Sequence, residues 1–123
     1  MIERYTTKVM KEIWSDKNKF NTWKNVEVAV ASVMADRDLI PKESFENIKN
    51  KADFDVEKIL EIEKVTRHDV IAFLTNMAEY IGPDSRYVHM GMTSSDLLDT
   101  SLACLCKQAG EIILEKLILF NKV

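Results

Sequence analysis

Glycine and proline are scarce in this chain, three and two residues among 123. So few helix breakers do not suit an all-β protein, and with 46% hydrophobic residues the composition does not suit a disordered one. Cysteine is as rare. Cys104 and Cys106 stand two apart on a predicted helix, where side chains point to nearly opposite faces and cannot readily pair, so reduced, structural thiols are expected. The two histidines are far apart in sequence, and Cys-x-Cys does not reproduce zinc-ligand spacing, so no metal site is expected. No apolar run approaches the roughly 20 residues that span a bilayer, and Met1–Tyr5 lacks the apolar core of a signal peptide. A cytoplasmic protein without membrane contact is expected. Excess basic charge is missing too: the formal net charge is -3 with both signs interspersed, which gives no field to attract nucleic acid. Any anion must be bound locally.

What is present is the pattern of an all-α protein. Thr6-Thr7 can start a short helix through Trp14 with Val9, Met10 and Ile13 on one side, and Ser15-Asp16 can restart it. From Lys17 to Asp38, apolar residues recur near the helical period at Phe20, Trp23, Val26 or Glu27, Val30, Ala31, Val33 and Met34, which predicts a core helix. Ile40-Pro41 stops that helix, and Pro41 can be the first residue of the next, a short one over Ser44–Lys51. Asp53 or Asp55 is expected to cap a helix over Val56–Val65, with Ile59, Leu60, Ile62 and Val65 inward and its glutamates in water.

Two further helix starts carry more polar groups than capping needs. Thr66-Arg67-His68-Asp69 has the form of a capping box opening a helix over Val70–Ile81, which Gly82-Pro83 ends. Capping would need only Thr66 and Asp69, so Arg67 and His68 are surplus, and an imidazole between a cation and a carboxylate is a way to tune an active-site group. Tyr87-Val88-His89 is expected to be locally extended. Gly91 then lets the backbone turn into Thr93-Ser94-Ser95-Asp96, a second capping box with Thr93 as N-cap. Free backbone N–H groups, hydroxyls and a nearby His89 can seat a carboxylate or phosphate there. The last helix runs without a breaker to the final residue. Leu98, Leu102, Leu105, Ala109 and Ile112 predict a seam along a partner helix, and the stretch from Ile112 to Phe120 is apolar on most sides. This divides the chain into a compact helical domain, residues 1–92, and the first helix of a bundle, residues 93–123, which is expected to continue beyond Val123.

Ile2-Glu3-Arg4-Tyr5, Thr66-Arg67-His68-Asp69-Val70 and His89-Met90-Gly91-Met92-Thr93-Ser94-Ser95-Asp96-Leu97-Leu98-Asp99-Thr100, in that order, resemble the amino-terminal part of the adenylosuccinate lyases, in the fumarase/aspartase superfamily. The resemblance implies a homotetrameric, cofactor-free enzyme of purine and AMP biosynthesis. Such an enzyme eliminates fumarate from adenylosuccinate, giving AMP, and from the succinylated aminoimidazole carboxamide ribonucleotide. It also implies roles. Thr93 and Ser94 hold the succinyl or fumarate end. Arg67, His68 and Asp69 lie against the substrate, with His68 orienting or assisting the general acid. Arg4 and Tyr5 bind the nucleotide side, and His89 is a second imidazole near the site. In these lyases the base is a serine on a mobile glycine-rich loop and a further histidine is taken as the acid. Both are expected beyond Val123, so residues 1–123 alone are expected to be inactive. The rival reading is a free-standing helical interaction or oligomerisation domain whose caps are only caps.

Overall fold

The computed structural model describes residues 2–122. Met1 and Val123, the outer ends of the predicted tether and of the predicted open-ended helix, lie outside the described residues. Six α-helices and two 3-10 turns follow one another, and no strand occurs among the described residues. After a turn at Glu3–Tyr5 come α1 (Lys8–Ile13), α2 (Asp16–Asp36), α3 (Lys42–Lys51), α4 (Val56–Thr66) and α5 (Asp69–Ile81). A 3-10 turn at Gly82–Tyr87 then leads to α6 (Ser94–Phe120). The all-α expectation holds.

Local chemistry sets most of the boundaries. Thr7 caps α1, and Ser15 caps α2 by accepting the Asn18 N–H at 3.2 Å. Of the two candidate caps for α4 the structure uses Asp55, whose carboxylate accepts the Lys58 N–H at 2.9 Å. Pro41 is the N-cap of α3 rather than its first residue, because its ψ of 136° is extended, and α3 begins at Lys42 rather than Ser44. α5 ends at Gly82, whose φ is +79°. The segment expected to be extended is short. Tyr87 still belongs to the 3-10 turn, Val88 alone is extended, and His89 is left-handed with φ +61°.

α2 is the central helix and touches α1, α3, α4 and α6, while α4 and α5 pair as a hairpin. Phe20 and Trp23 of α2 meet Phe73 of α5, stacked at 5.8 Å and edge-on at 5.4 Å between ring centroids. Such pairs add about 0.5–1.5 kcal/mol each beyond the area they bury. Ile48, Ile59, Val70, Met77, Ile81 and Leu97 complete the core, which therefore reaches into the first turn of α6. Two predicted core positions on α4 lie outside it: Leu60 is exposed and Val65 is 84% exposed. At about 100° per residue they flank the stripe through Ile59 and Ile62 on opposite sides.

The seam of α6 is also rotated from the expected one. Leu97, Ser101, Leu105 and Ala109 are buried, whereas Leu98 is only half-buried and Leu102 is exposed. The face is chosen by α2, against which α6 packs, and Asn18 of α2 donates to Gln108 at 2.9 Å. Cys104 and Cys106 are free, and both are exposed. Farther along, Glu111 accepts a hydrogen bond from Lys107, which holds that ammonium above its ordinary range. Beyond Ala109 the helix leaves the body, and Ile113, Leu114, Leu117, Ile118, Leu119 and Phe120 are exposed.

Candidate functional site

The start of α6 is built as its sequence demands. Gly91 turns the chain at φ +76°, and Thr93 is the N-cap, its backbone N–H donating to the Asp96 carboxylate at 2.8 Å in a capping box. Ser94 is the first helical residue and is half-buried. The first N–H groups of any helix have no partner within it, so this turn offers donors to an anion beside two hydroxyls.

His89, just upstream, is tied to a residue the sequence did not single out as functional. Glu27 of α2 is 1% exposed, and both its oxygens face His89: one accepts the backbone N–H at 2.9 Å, and the other lies 2.6 Å from Nδ1. The apolar register of α2 allowed either Val26 or Glu27 inward, and it is Glu27 that is fully buried. The signal was there to use. A carboxylate at a core position is costly without a partner, and a histidine elsewhere in the chain is a fitting one.

The start of α5 differs from the predicted capping box. Thr66 is the last residue of α4, Arg67 flips to the left-handed region at φ +54°, and His68 is the N-cap. The His68 Nδ1 accepts the Ile71 N–H at 3.3 Å, and Thr66 donates its hydroxyl to the His68 carbonyl at 3.2 Å. Asp69 is the first helical residue. Its carboxylate accepts the Val70 N–H at 2.7 Å and stands 3.7 Å from Nδ1, an ion-pair distance beyond hydrogen bonding. An Nδ1 that accepts carries no proton, so the proton of the neutral ring is on Nε2. Both side chains are about half exposed, and Arg67 is exposed.

Arg4 and Tyr5 lie together in the first 3-10 turn, with the guanidinium carbon 5.8 Å from the phenol ring centre and both residues exposed. Thr6 braces that turn by donating to the Ile2 carbonyl at 2.7 Å. The structure therefore brings Arg4 to Tyr5, His68 to Asp69, and His89 to Glu27. Among the described residues no hydrogen bond or ion pair joins these three clusters to one another. An apolar groove of about 810 Å³ between α2 and α6, lined by Val26, Val30, Met34, Thr100 and Cys104 among others, contains none of the predicted site residues. Among the described residues no group of three or more His, Cys, Asp or Glu is placed to hold a metal ion, and no helix is long and apolar enough to cross a membrane.

A family model described as Lyase matches residues 2–123. The chain belongs to this lyase family. It is similar to the adenylosuccinate lyases of Synechocystis sp., at 51% identity over 117 residues, and of Bacillus subtilis, at 45% over 117. It is also 49% identical over 118 residues to the adenylosuccinate lyase of Aquifex aeolicus. These alignments cover 94–95% of this lyase chain and 27% of each relative, so the chain spans about a quarter of the length of the curated relatives it matches. Among solved structures, the fumarate lyase from Mesorhizobium sp. BNC1 shares the fold, with a TM-score of 0.76 at 19% identity over 85% of this chain and 25% of that one.

Proposed function

We propose that residues 1–123 are the substrate-binding, amino-terminal part of an adenylosuccinate lyase, a C–N lyase that releases fumarate from adenylosuccinate and from the succinylated aminoimidazole carboxamide ribonucleotide. The reaction is a β-elimination. A base removes the proton beside a carboxylate, the carbon–nitrogen bond breaks, and an acid protonates the departing nitrogen. Charge builds on the carboxylate next to the carbanion, where positive groups and N–H donors stabilise it.

Each cluster has a part in this reading. Thr93 and Ser94, with the first N–H groups of α6, bind the succinyl or fumarate carboxylate. His68 presents its Nε2 toward the departing nitrogen and assists the acid, flanked by Arg67 and Asp69. His89 contacts the substrate, and Arg4 and Tyr5 bind the nucleotide side. Residues 93–123 begin a helical bundle whose exposed apolar turns, Ile113 to Phe120, belong to a homotetramer core. The enzyme acts in the cytoplasm in purine and AMP biosynthesis.

The observation that carries this reading is conformational. Only three non-glycine residues have positive φ among those described, and two of them, Arg67 and His89, lie in the polar stretches that lead into α5 and α6. Left-handed backbone at bulky residues costs folding energy and gathers where function requires a fixed geometry. Arg67 also closes the end of α4, where a left-handed residue is common, whereas His89 closes no helix. The test is fumarate release from adenylosuccinate by the full-length chain that carries this segment, beside residues 1–123 alone. Turnover is expected from the first and none from the second. No fumarate from a folded full-length chain would overturn the reading.

A further inference from the structure

We propose that Glu27 is a positioning residue that fixes the His89 ring so that one nitrogen, Nε2, is presented to an anionic oxygen of the substrate. This rests on the reading of His89 as a substrate contact. Glu27 is buried in the middle of α2, and a single residue takes both its oxygens: the His89 backbone N–H at 2.9 Å and Nδ1 at 2.6 Å. One proton is shared between the carboxylate and Nδ1, which leaves that nitrogen closed to a ligand. Among the described residues Nε2 has no hydrogen-bond partner. The His89 side chain is 16% exposed, so only a small part of it can meet a small molecule.

The contact fixes the chain as well as the ring. His89 is left-handed at φ +61°, and its N–H bond to Glu27 holds it so. The turn then closes with the Met92 N–H on the His89 carbonyl at 3.2 Å and delivers the backbone to the N-cap Thr93. Glu27 thus stands behind both the imidazole and the approach to the α6 donors. A core needs no carboxylate here. The neighbouring inward position is Val26, and burying a carboxylate is less favourable than burying an apolar side chain of the same size. A protonated ring held in this way donates from Nε2 to a phosphate or carboxylate oxygen, and the two sources share that chemistry.

The variants are Glu27→Met, which keeps the volume and removes both contacts, and Glu27→Gln, whose amide can still bond both the N–H and Nδ1. In the full-length lyase, Glu27→Met should raise KM for adenylosuccinate at least about tenfold with kcat within about threefold, and Glu27→Gln should restore most of the loss. Because Glu27 acts on the substrate mainly through the His89 ring, Glu27→Met should cost clearly less in a His89→Asn background than it does alone. The inference falls if Glu27→Met keeps the parent KM, if Glu27→Gln is as impaired as Glu27→Met, or if the losses from Glu27→Met and His89→Asn multiply. In each of those cases an impaired His89→Asn leaves the reading of His89 standing. A His89→Asn enzyme with the parent KM removes that reading, and this inference with it. Should Glu27→Met not fold, ¹⁵N resonances of His89 in the unsubstituted enzyme decide. AMP or fumarate must move Nε2 and leave Nδ1 in place, a response to AMP alone marking the phosphate and to fumarate alone the carboxylate. Movement of Nδ1, or of neither nitrogen with either probe, overturns the proposal.

Discussion

The side-chain oxygen of Asn76, buried in α5, accepts the backbone N–H of Asp55 at 2.8 Å and so ties the N-cap of α4 to the centre of its partner helix. The amide group of the same side chain reaches Glu79 at 3.2 Å. Asn76→Ala leaves the Asp55 N–H unpaired and should destabilise the chain by about 1–3 kcal/mol. Urea unfolding monitored by helical circular dichroism checks this, and an unchanged midpoint would mean that water replaces the asparagine.

Arg67 separates stability from function. It links α4 to α5 at φ +54°, where glycine meets no steric penalty. Arg67→Gly should therefore hold or raise the stability of the fold, by up to about 1 kcal/mol, the steric relief being partly offset by chain entropy. In the full-length lyase the same change should lower kcat/KM at least about tenfold if the guanidinium lies against the substrate as proposed. A loss of stability, or unaltered kinetics, contradicts this account of the turn.

On the proposed reading, Thr93 and Ser94 divide cap from ligand. Ser94→Ala leaves the Thr93 cap and the Asp96 bond in place, so the melting temperature should change little. One charge-assisted hydrogen bond to substrate is lost, worth roughly 1.5–3 kcal/mol, which corresponds to about a ten- to hundredfold drop in catalytic efficiency. Thr93→Ala should cost about 1 kcal/mol of stability as well as activity. If Ser94→Ala melts the helix and spares turnover, the motif is a cap and nothing more.

Gly110 stands in α6 just past Ala109, the last buried residue of the seam, and a Cβ there would meet nothing within 4 Å. Gly110→Ala in residues 1–123 should stabilise the helix by roughly 0.5–1 kcal/mol, read from thermal unfolding. A decrease would show that the added methyl has an unseen neighbour.

Past Gly110 the exposed residues make an apolar surface that a lone chain rarely leaves in water. Residues 1–123 should self-associate through it. Replacing Ile113, Leu117 and Phe120 together by lysine should shift the sedimentation profile toward monomer while leaving the helical signal of the preceding residues intact. A parent chain that sediments as a clean monomer at high concentration would rule this out.

The helices were legible where their ends are decided by neighbours in sequence. Ser15, Asp55 and Thr93 cap as expected because a cap is a matter of three or four residues. Thr66 shows the limit of that logic: the same four-residue pattern spans the end of one helix and the start of the next once Arg67 turns left-handed. Which face of α6 is buried depends on α2, a partner far away in sequence, so counting leucines favoured Leu102 over Ser101. The polar clusters were visible as surplus groups at helix starts. Glu27 was visible only as an acid at an apolar register, and its role shows once the fold brings His89 against it.

α6 is one unbroken rod from Ser94 to Phe120, roughly 40 Å at about 1.5 Å per residue. Its inner turns rest on α2 through Leu97, Ser101, Leu105 and Ala109, and its outer turns reach past that bearing. A rod seated along its inner turns and unsupported along its outer ones is a cantilever, held at the Ser94 end. A sideways load on the outer turns is therefore borne where the support ends, at Ala109 and Gly110, and the hydroxyls at the inner end stay where the core holds them.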